Sequence, residues 1–137
     1  MDNLNNKSPL RYPGGKTRAC KLLDSVLSQH FDMNNYKLIL SPFFGGGSFE
    51  FYLQNKYKLP ILANDKFIPL YNFWNQVKLN KEKIISDLNG QLGVSKEKFI
   101  EYRNDILTLD NHLKQAVYYF IINRCSFSGS TMSGGFS

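Results

Sequence analysis

Two short stretches of this sequence hold residue types whose spacing suits chemistry. The first is Ser41-Pro42-Phe43-Phe44-Gly45-Gly46-Gly47-Ser48, followed downstream by Ala63-Asn64-Asp65. Glycines at 45–47 let the backbone turn tightly and approach a ligand closely, because no Cβ stands in the way. Asp65 lies at the end of the next apolar run, where a carboxylate can accept hydrogen bonds from two ribose hydroxyls. Open α/β sheets bind nucleotides at the carboxyl ends of their strands. The pattern is that of a nucleoside-cofactor half-site. Its alternative is a glycine-rich loop between packed elements, with Asp65 as a surface helix cap. A dinucleotide fingerprint needs G-x-G-x-x-G, and Glu50 stands where its third glycine belongs. A carboxylate there repels a pyrophosphate, so a cofactor without phosphates, such as S-adenosylmethionine, is favoured.

The second stretch is Arg11-Tyr12-Pro13-Gly14-Gly15-Lys16. Its glycines expose backbone N–H groups and Lys16 adds a cation, a combination that can hold a carboxylate. Tyr12 is placed to cover a cofactor's face. The alternative is a tight turn with a solvated lysine. Gly15-Lys16-Thr17 is not a P-loop, because Leu10 occupies the position of the first glycine and no strand precedes it.

The elements that must position these residues follow from periodicity. Residues 1–9 read as a flexible arm rich in Asn. Ala19, Leu22, Leu23, Val26 and Leu27 form the apolar face of a helix over Thr17–Phe31, with Thr17 as N-cap. Lys37–Leu40 and Pro60–Ala63 read as short strands. Ser48 caps a short helix through Leu53, and another helix runs from about Ile68 to Val77. Beyond Lys81 the pattern gives helices over 81–89, 95–107 and 110–125, the last with Leu113, Ala116, Val117, Phe120 and Ile121 inward. Residues 126–137 are Ser/Gly-rich and aperiodic, a loop that reads as though the chain were cut within it. No internal repeat is visible.

Composition narrows the classes. Seventeen Lys and Arg against eleven Asp and Glu give +6. Residues 81–137 are nearly balanced, so the excess sits in the N-terminal half. Such a charge suits a polyanion. Aromatics make 15% of the chain, available for base stacking or for the core. Cys20 and Cys125 form no CxxC pair, and two histidines, His30 and His112, cannot build a His-rich site, so no metal is implied. No apolar run reaches the roughly 18 residues of a membrane span. Met1–Ser8 lacks the apolar core of a secretory signal. An intracellular location, in a cell or in the host of a virus, is expected.

Four blocks in order, Arg11–Lys16, Ser41–Ser48, Ala63–Asp65 and Tyr118–Gly129, resemble the Dam-type adenine-specific DNA methyltransferases. That family carries a Trp/Tyr-x-Gly-Gly-Lys start, an acid-Pro-Phe-x-Gly-x-Gly-Ser turn, a strand-end Asp and an Asn-Arg-x-x-[Phe/Tyr]-x-Gly segment closing a helix. The resemblance implies S-adenosylmethionine as cofactor, with Tyr12, Gly14, Gly15, Lys16, Phe43, Gly45, Gly46, Gly47 and Asp65 in its site. It implies double-stranded DNA as partner, with Arg11, Asn123, Arg124, Ser126 and Phe127 toward DNA. Arg124 reads equally as a helix C-terminal charge, and Phe127 as a packing residue. Lys7, Arg18 and Lys21 are further candidates for phosphate contact, beside the alternative of a solvated surface. The implied fold is α/β, a partial Rossmann-like methyltransferase sheet with an appended helical DNA-recognition region. Residues 1–80 would be the N-terminal part of the cofactor domain and 81–137 an incomplete recognition region.

Two departures qualify the implied function, a site-specific DNA adenine methyltransferase. Ser41 stands where the family usually has an acid. The family's catalytic Asp-Pro-Pro-Tyr tetrad is absent, since no two of Pro9, Pro13, Pro42, Pro60 and Pro69 are adjacent. No catalytic residue is therefore assigned, and this chain alone is expected to be inactive. A second chain or a further C-terminal segment would complete the sheet and the active site. The competing reading is a non-catalytic DNA-binding relic or one subunit of a split methyltransferase. A nicotinamide dehydrogenase half-domain fits poorly because of Glu50 and the chain length. Whether the enzyme is solitary, viral or part of restriction–modification stays open.

Overall fold

The computed structural model describes residues 5–137, so the first four residues of the expected arm lie outside the described residues. The chain divides into two compact units. One holds residues 5–9 together with Gly14–Asp65, and the other holds Leu10–Pro13 with Lys66–Ser137.

The first unit is built on two short parallel strands, β1 (Ile39–Ser41) and β2 (Ile61–Ala63), paired Ile39 to Ile61, Leu40 to Leu62 and Ser41 to Ala63. Parallel strands need a crossover. Helix α2 (Ser48–Tyr57) supplies it and packs against β1. Strand side chains alternate between faces. Leu40 and Leu62 therefore share one face, where they are 68% and 57% exposed, while Ser41 on the other face is buried. Helix α1 (Cys20–His30) packs on α2.

The expected inward face of α1 is not the buried one. Leu22, Leu23 and Val26 are exposed, and the helix buries Cys20 and Asp24 instead. Asp24 decides the rotation. Its carboxylate is 3% exposed and accepts from Tyr57 Oη at 2.6 Å, from Tyr52 Oη at 3.2 Å and from Lys56 Nζ. A buried carboxylate must be paired or neutralised, and one row of donors on α2 does the pairing. Thr17 also departs from expectation. The N-cap of α1 is Ala19 with no side-chain cap, and the Thr17 hydroxyl donates instead to Ser48 Oγ at 3.2 Å.

The second unit is helical. It comprises α3 (Ile68–Asn89), α4 (Lys96–Asp105) and α5 (His112–Cys125). The expected helices over 68–77 and 81–89 are the two limbs of α3. They are separated at Asn80, whose φ of −138° and ψ of 32° break the helical path. Pro69 is tolerated in the first turn of α3, where backbone N–H groups lack helical acceptors. Ser95 and Asn111 cap α4 and α5, accepting from the Lys98 and Lys114 amides. Helix α5 is central, with Ala116, Val117, Ile121 and Ile122 all buried. Phe73 stacks near Phe120 with ring centres 6.0 Å apart, and Tyr102 stacks on Tyr118 at 3.9 Å. Gln115 satisfies the polar part of this core. It donates to Ile106 O at 2.7 Å and accepts from Asn72 at 3.0 Å. Residues 126–137, expected as an aperiodic loop, fold back as a hairpin with an antiparallel bridge between Ser126 and Phe136. No helix among the described residues is long and apolar enough to cross a membrane.

Burial pushes the Asp24 carboxyl up, but hydrogen bonds from Lys56 and Tyr57 outweigh it and hold the group below the ordinary carboxylate range. A depressed native value stabilises the fold above the unfolded value and loses that contribution as pH falls through the native one. Asp24→Asn should lower unfolding free energy by about 2 kcal/mol at pH 7. In urea titrations the difference from wild type should shrink steadily below about pH 4.

Candidate functional site

In the first unit, the backbone leaves β1 at Ser41 and turns through residues 42–47. The turn is pinned to the end of β2 by three hydrogen bonds. Asn64 N–H donates to Ser41 O at 2.8 Å, Phe44 N–H donates to Asn64 O at 2.9 Å, and Gly45 N–H donates to Asp65 Oδ2 at 2.9 Å. Asp65 is thus joined to the glycine turn and is not the cap of α3, whose N-cap is Phe67. Gly47 sits at φ 68°, and a Cβ on it would run into the Phe44 ring. Gly47 is also the N-cap of α2, so Ser48, expected as the cap, is its first helical residue.

The two phenylalanines of the turn behave oppositely. Phe44 is buried edge-to-face against Phe51 at 5.6 Å, holding the turn in place. Phe43 is 83% exposed beside the glycines. Glu50, in the first turn of α2, accepts from Ser41 Oγ at 2.6 Å. This pair links residues nine apart on different elements, and nothing in sequence spacing announces it. Gly14, Gly15 and Lys16 are all exposed, and Lys16 Nζ bends back to donate to Gly14 O at 3.0 Å.

In the second unit, Asn123 is completely buried in the last turn of α5. Its side-chain oxygen accepts from Arg11 N–H at 2.9 Å, and its amide donates to Arg11 O at 2.6 Å. Ser126 is equally buried, and its hydroxyl accepts from the Thr131 amide at 3.0 Å. Sequence reading placed both toward DNA. Enclosed side chains bonded to the chain's own backbone instead build the segment that presents its neighbours. Those neighbours are exposed. Phe127 is 69% exposed, Arg124 is on the surface, and the Arg11 guanidinium reaches Arg124 O at 3.4 Å. Ser128 and Thr131 hold left-handed φ of 52° and 39°, which is costly for non-glycine residues and recurs at ligand-facing segments. Tyr12 lines a cavity of about 350 Å³ in this unit with Phe67, Tyr119, Gly129 and Ser130.

A parallel strand pair, with a glycine turn after the first strand bonded to the acid that ends the second, and with helices around it, makes an α/β arrangement of the methyltransferase kind. The family model for D12 class N6 adenine-specific DNA methyltransferases matches residues 12–135, and the chain belongs to that family. It is similar to the type II methyltransferase M.MjaIII of Methanocaldococcus jannaschii, with 27% identity over 111 residues. That match covers 80% of this chain and 35% of the relative, so the chain spans about a third of the length of the protein it matches.

The hairpin makes its own prediction. Gly129 has φ 73°, and a Cβ there would collide with the Arg11 carbonyl, whereas one on Gly135 meets nothing within 4 Å. Gly129→Ala should cost about 2 kcal/mol in thermal unfolding, and Gly135→Ala less than about 0.5 kcal/mol.

Proposed function

We propose that this chain contributes the cofactor half-site and the target-recognition region of an S-adenosylmethionine-dependent enzyme that methylates the exocyclic amino group of adenine in double-stranded DNA. The observation that carries the reading is the Gly45 N–H bond to Asp65, which sets a carboxylate beside a glycine turn at the ends of two parallel strands. A carboxylate so placed suits ribose hydroxyls. The turn offers close backbone approach, and Phe43 an exposed ring beside it. The glycines before Lys16 and its ammonium suit the cofactor's carboxylate. Tyr12 is assigned to the cofactor by family resemblance alone. Residues 1–80 serve as the N-terminal part of a Rossmann-like cofactor domain and 81–137 as the recognition region. Within the latter, Arg124 and Phe127, with Arg11 beside them, face DNA. Asn123 and Ser126 hold them in position.

The bound cofactor supplies an electrophilic methyl group on a sulfonium. The adenine amino nitrogen is a poor nucleophile because its lone pair is delocalised into the ring. Acceptors for its hydrogens must be fixed beside it while the base is out of the stack. This chain's residues hold no Asp-Pro-Pro-Tyr segment for that work. A further segment or a partner chain would supply it and would cover the open Leu40–Leu62 sheet face and the Leu22–Val26 stripe of α1. The second reading is a DNA-binding relic or one subunit of a split enzyme. In that case methyl transfer is absent from the chain alone.

Calorimetric titration of the full chain with S-adenosylmethionine tests the cofactor assignment. Saturable binding is expected, weakened at least about tenfold in Asp65→Ala, equivalent to about 1.4 kcal/mol. Absence of binding by folded wild-type chain, or equal binding by the variant, would contradict it.

A further inference from the structure

The Ser41–Glu50 pair has no part in the assignments above. Four described acids lie in the first unit, and three have evident work. Asp24 is neutralised by Lys56, Asp32 caps a short turn by accepting from the Asn34 amide, and Asp65 receives the Gly45 amide. Glu50 is half-buried at the start of α2, three residues beyond the last glycine of the turn. It accepts from the Ser41 hydroxyl at the C-terminal end of β1, at 2.6 Å. A carboxylate offers about four acceptor positions, and this bond takes one while fixing the carboxylate's direction.

Its surroundings are equally defined. Ser48 O accepts from Cys20 Sγ at 3.7 Å and Ser48 Oγ from Thr17, which seats the chain just after Lys16 against the start of α2. Burial and the negative charge of Glu50 both push the thiol of Cys20, the first residue of α1, up. The start of α1, which follows Lys16 in the chain, thus lies against the start of α2, where Ser41 orients the Glu50 carboxylate at the edge of the glycine turn. The zwitterionic amino-acid end of a nucleoside cofactor has complementary charges.

We propose that Glu50, oriented by Ser41, binds the ammonium of the methionine end of S-adenosylmethionine. The inference rests on the cofactor reading given above. It assigns to a helix residue the charge recognition that separates a nucleoside bearing an amino acid from one without. Glu50 binds the ammonium directly by a charge-assisted hydrogen bond, and Ser41 is the positioning residue.

The test is calorimetry on the full chain with two ligands, S-adenosylmethionine and 5′-methylthioadenosine, which keeps the nucleoside and lacks the amino-acid end. Glu50→Gln should weaken S-adenosylmethionine binding about tenfold or more and leave 5′-methylthioadenosine binding unchanged. Ser41→Ala should show a smaller loss of the same selectivity, and Glu50→Asp should restore part of it. Asp65→Ala should weaken both ligands. Equal loss of both ligands in Glu50→Gln would mean that the pair only shapes the turn, and overturns the proposal. Unchanged S-adenosylmethionine binding overturns it too, while leaving the cofactor reading intact. A wild-type chain that binds neither ligand overturns the cofactor reading and this inference together.

Discussion

The amide of Gly45 points at the carboxylate of Asp65, and the geometry of the first unit depends on that bond. Strand pairing ends at Ser41 and Ala63. Beyond it, the chain after β1 has no further ladder to follow. The bonds from Phe44 to Asn64 and from Gly45 to Asp65 extend the tie into the turn. With the turn pinned, Gly47 can adopt its left-handed conformation under the Phe44 ring and start α2 directly. That start sets Glu50 within reach of Ser41. A glycine-rich segment without such a tie would sample many conformations, since glycine loses the most freedom on ordering.

The second unit solves the same problem by different means. Its hairpin is short and rich in Ser and Gly, with little apolar surface to bury. Order comes from Asn123, whose amide acts as a two-way clamp on the backbone of Arg11, and from Ser126, which accepts from within the hairpin. Both groups are buried and bonded, which makes their removal costly. The exposed residues Phe127 and Arg124 gain a fixed platform. A rigid base with exposed aromatic and basic groups suits a nucleic-acid surface, where basic side chains position on phosphate and rings stack on bases.

Helices were legible where periodicity was strong. The apolar spacing of 110–125 yielded α5, and two patterns separated near residue 80 became the limbs of α3. The glycine run and the spacing to Asp65 marked the turn, because glycine is informative about backbone geometry. The inward face of α1 was misread because Leu22, Leu23 and Val26 outnumber one aspartate by hydropathy. The aspartate nevertheless wins when three donors on α2 meet it. Asn123 was set toward DNA by family resemblance, which carries no information on burial, and its side chain is enclosed. Its burial depends on a segment more than a hundred residues earlier in the chain. The fold of residues 126–137 escaped because backbone bonds, the Ser126 hydroxyl, the Arg103 guanidinium on Gly134 O and the Phe99–Phe136 ring contact hold it, and none of these leaves a periodic mark.

The central claim is that the glycine turn and Asp65 form one cofactor-binding surface. Backbone and carboxylate NMR of the labelled chain during addition of S-adenosylmethionine tests it most directly. The account predicts that the amides of residues 43–47 and the Asp65 carboxylate carbon shift together along one saturable curve. A saturating ligand that moves resonances elsewhere while leaving Gly45 and Asp65 unchanged would contradict it.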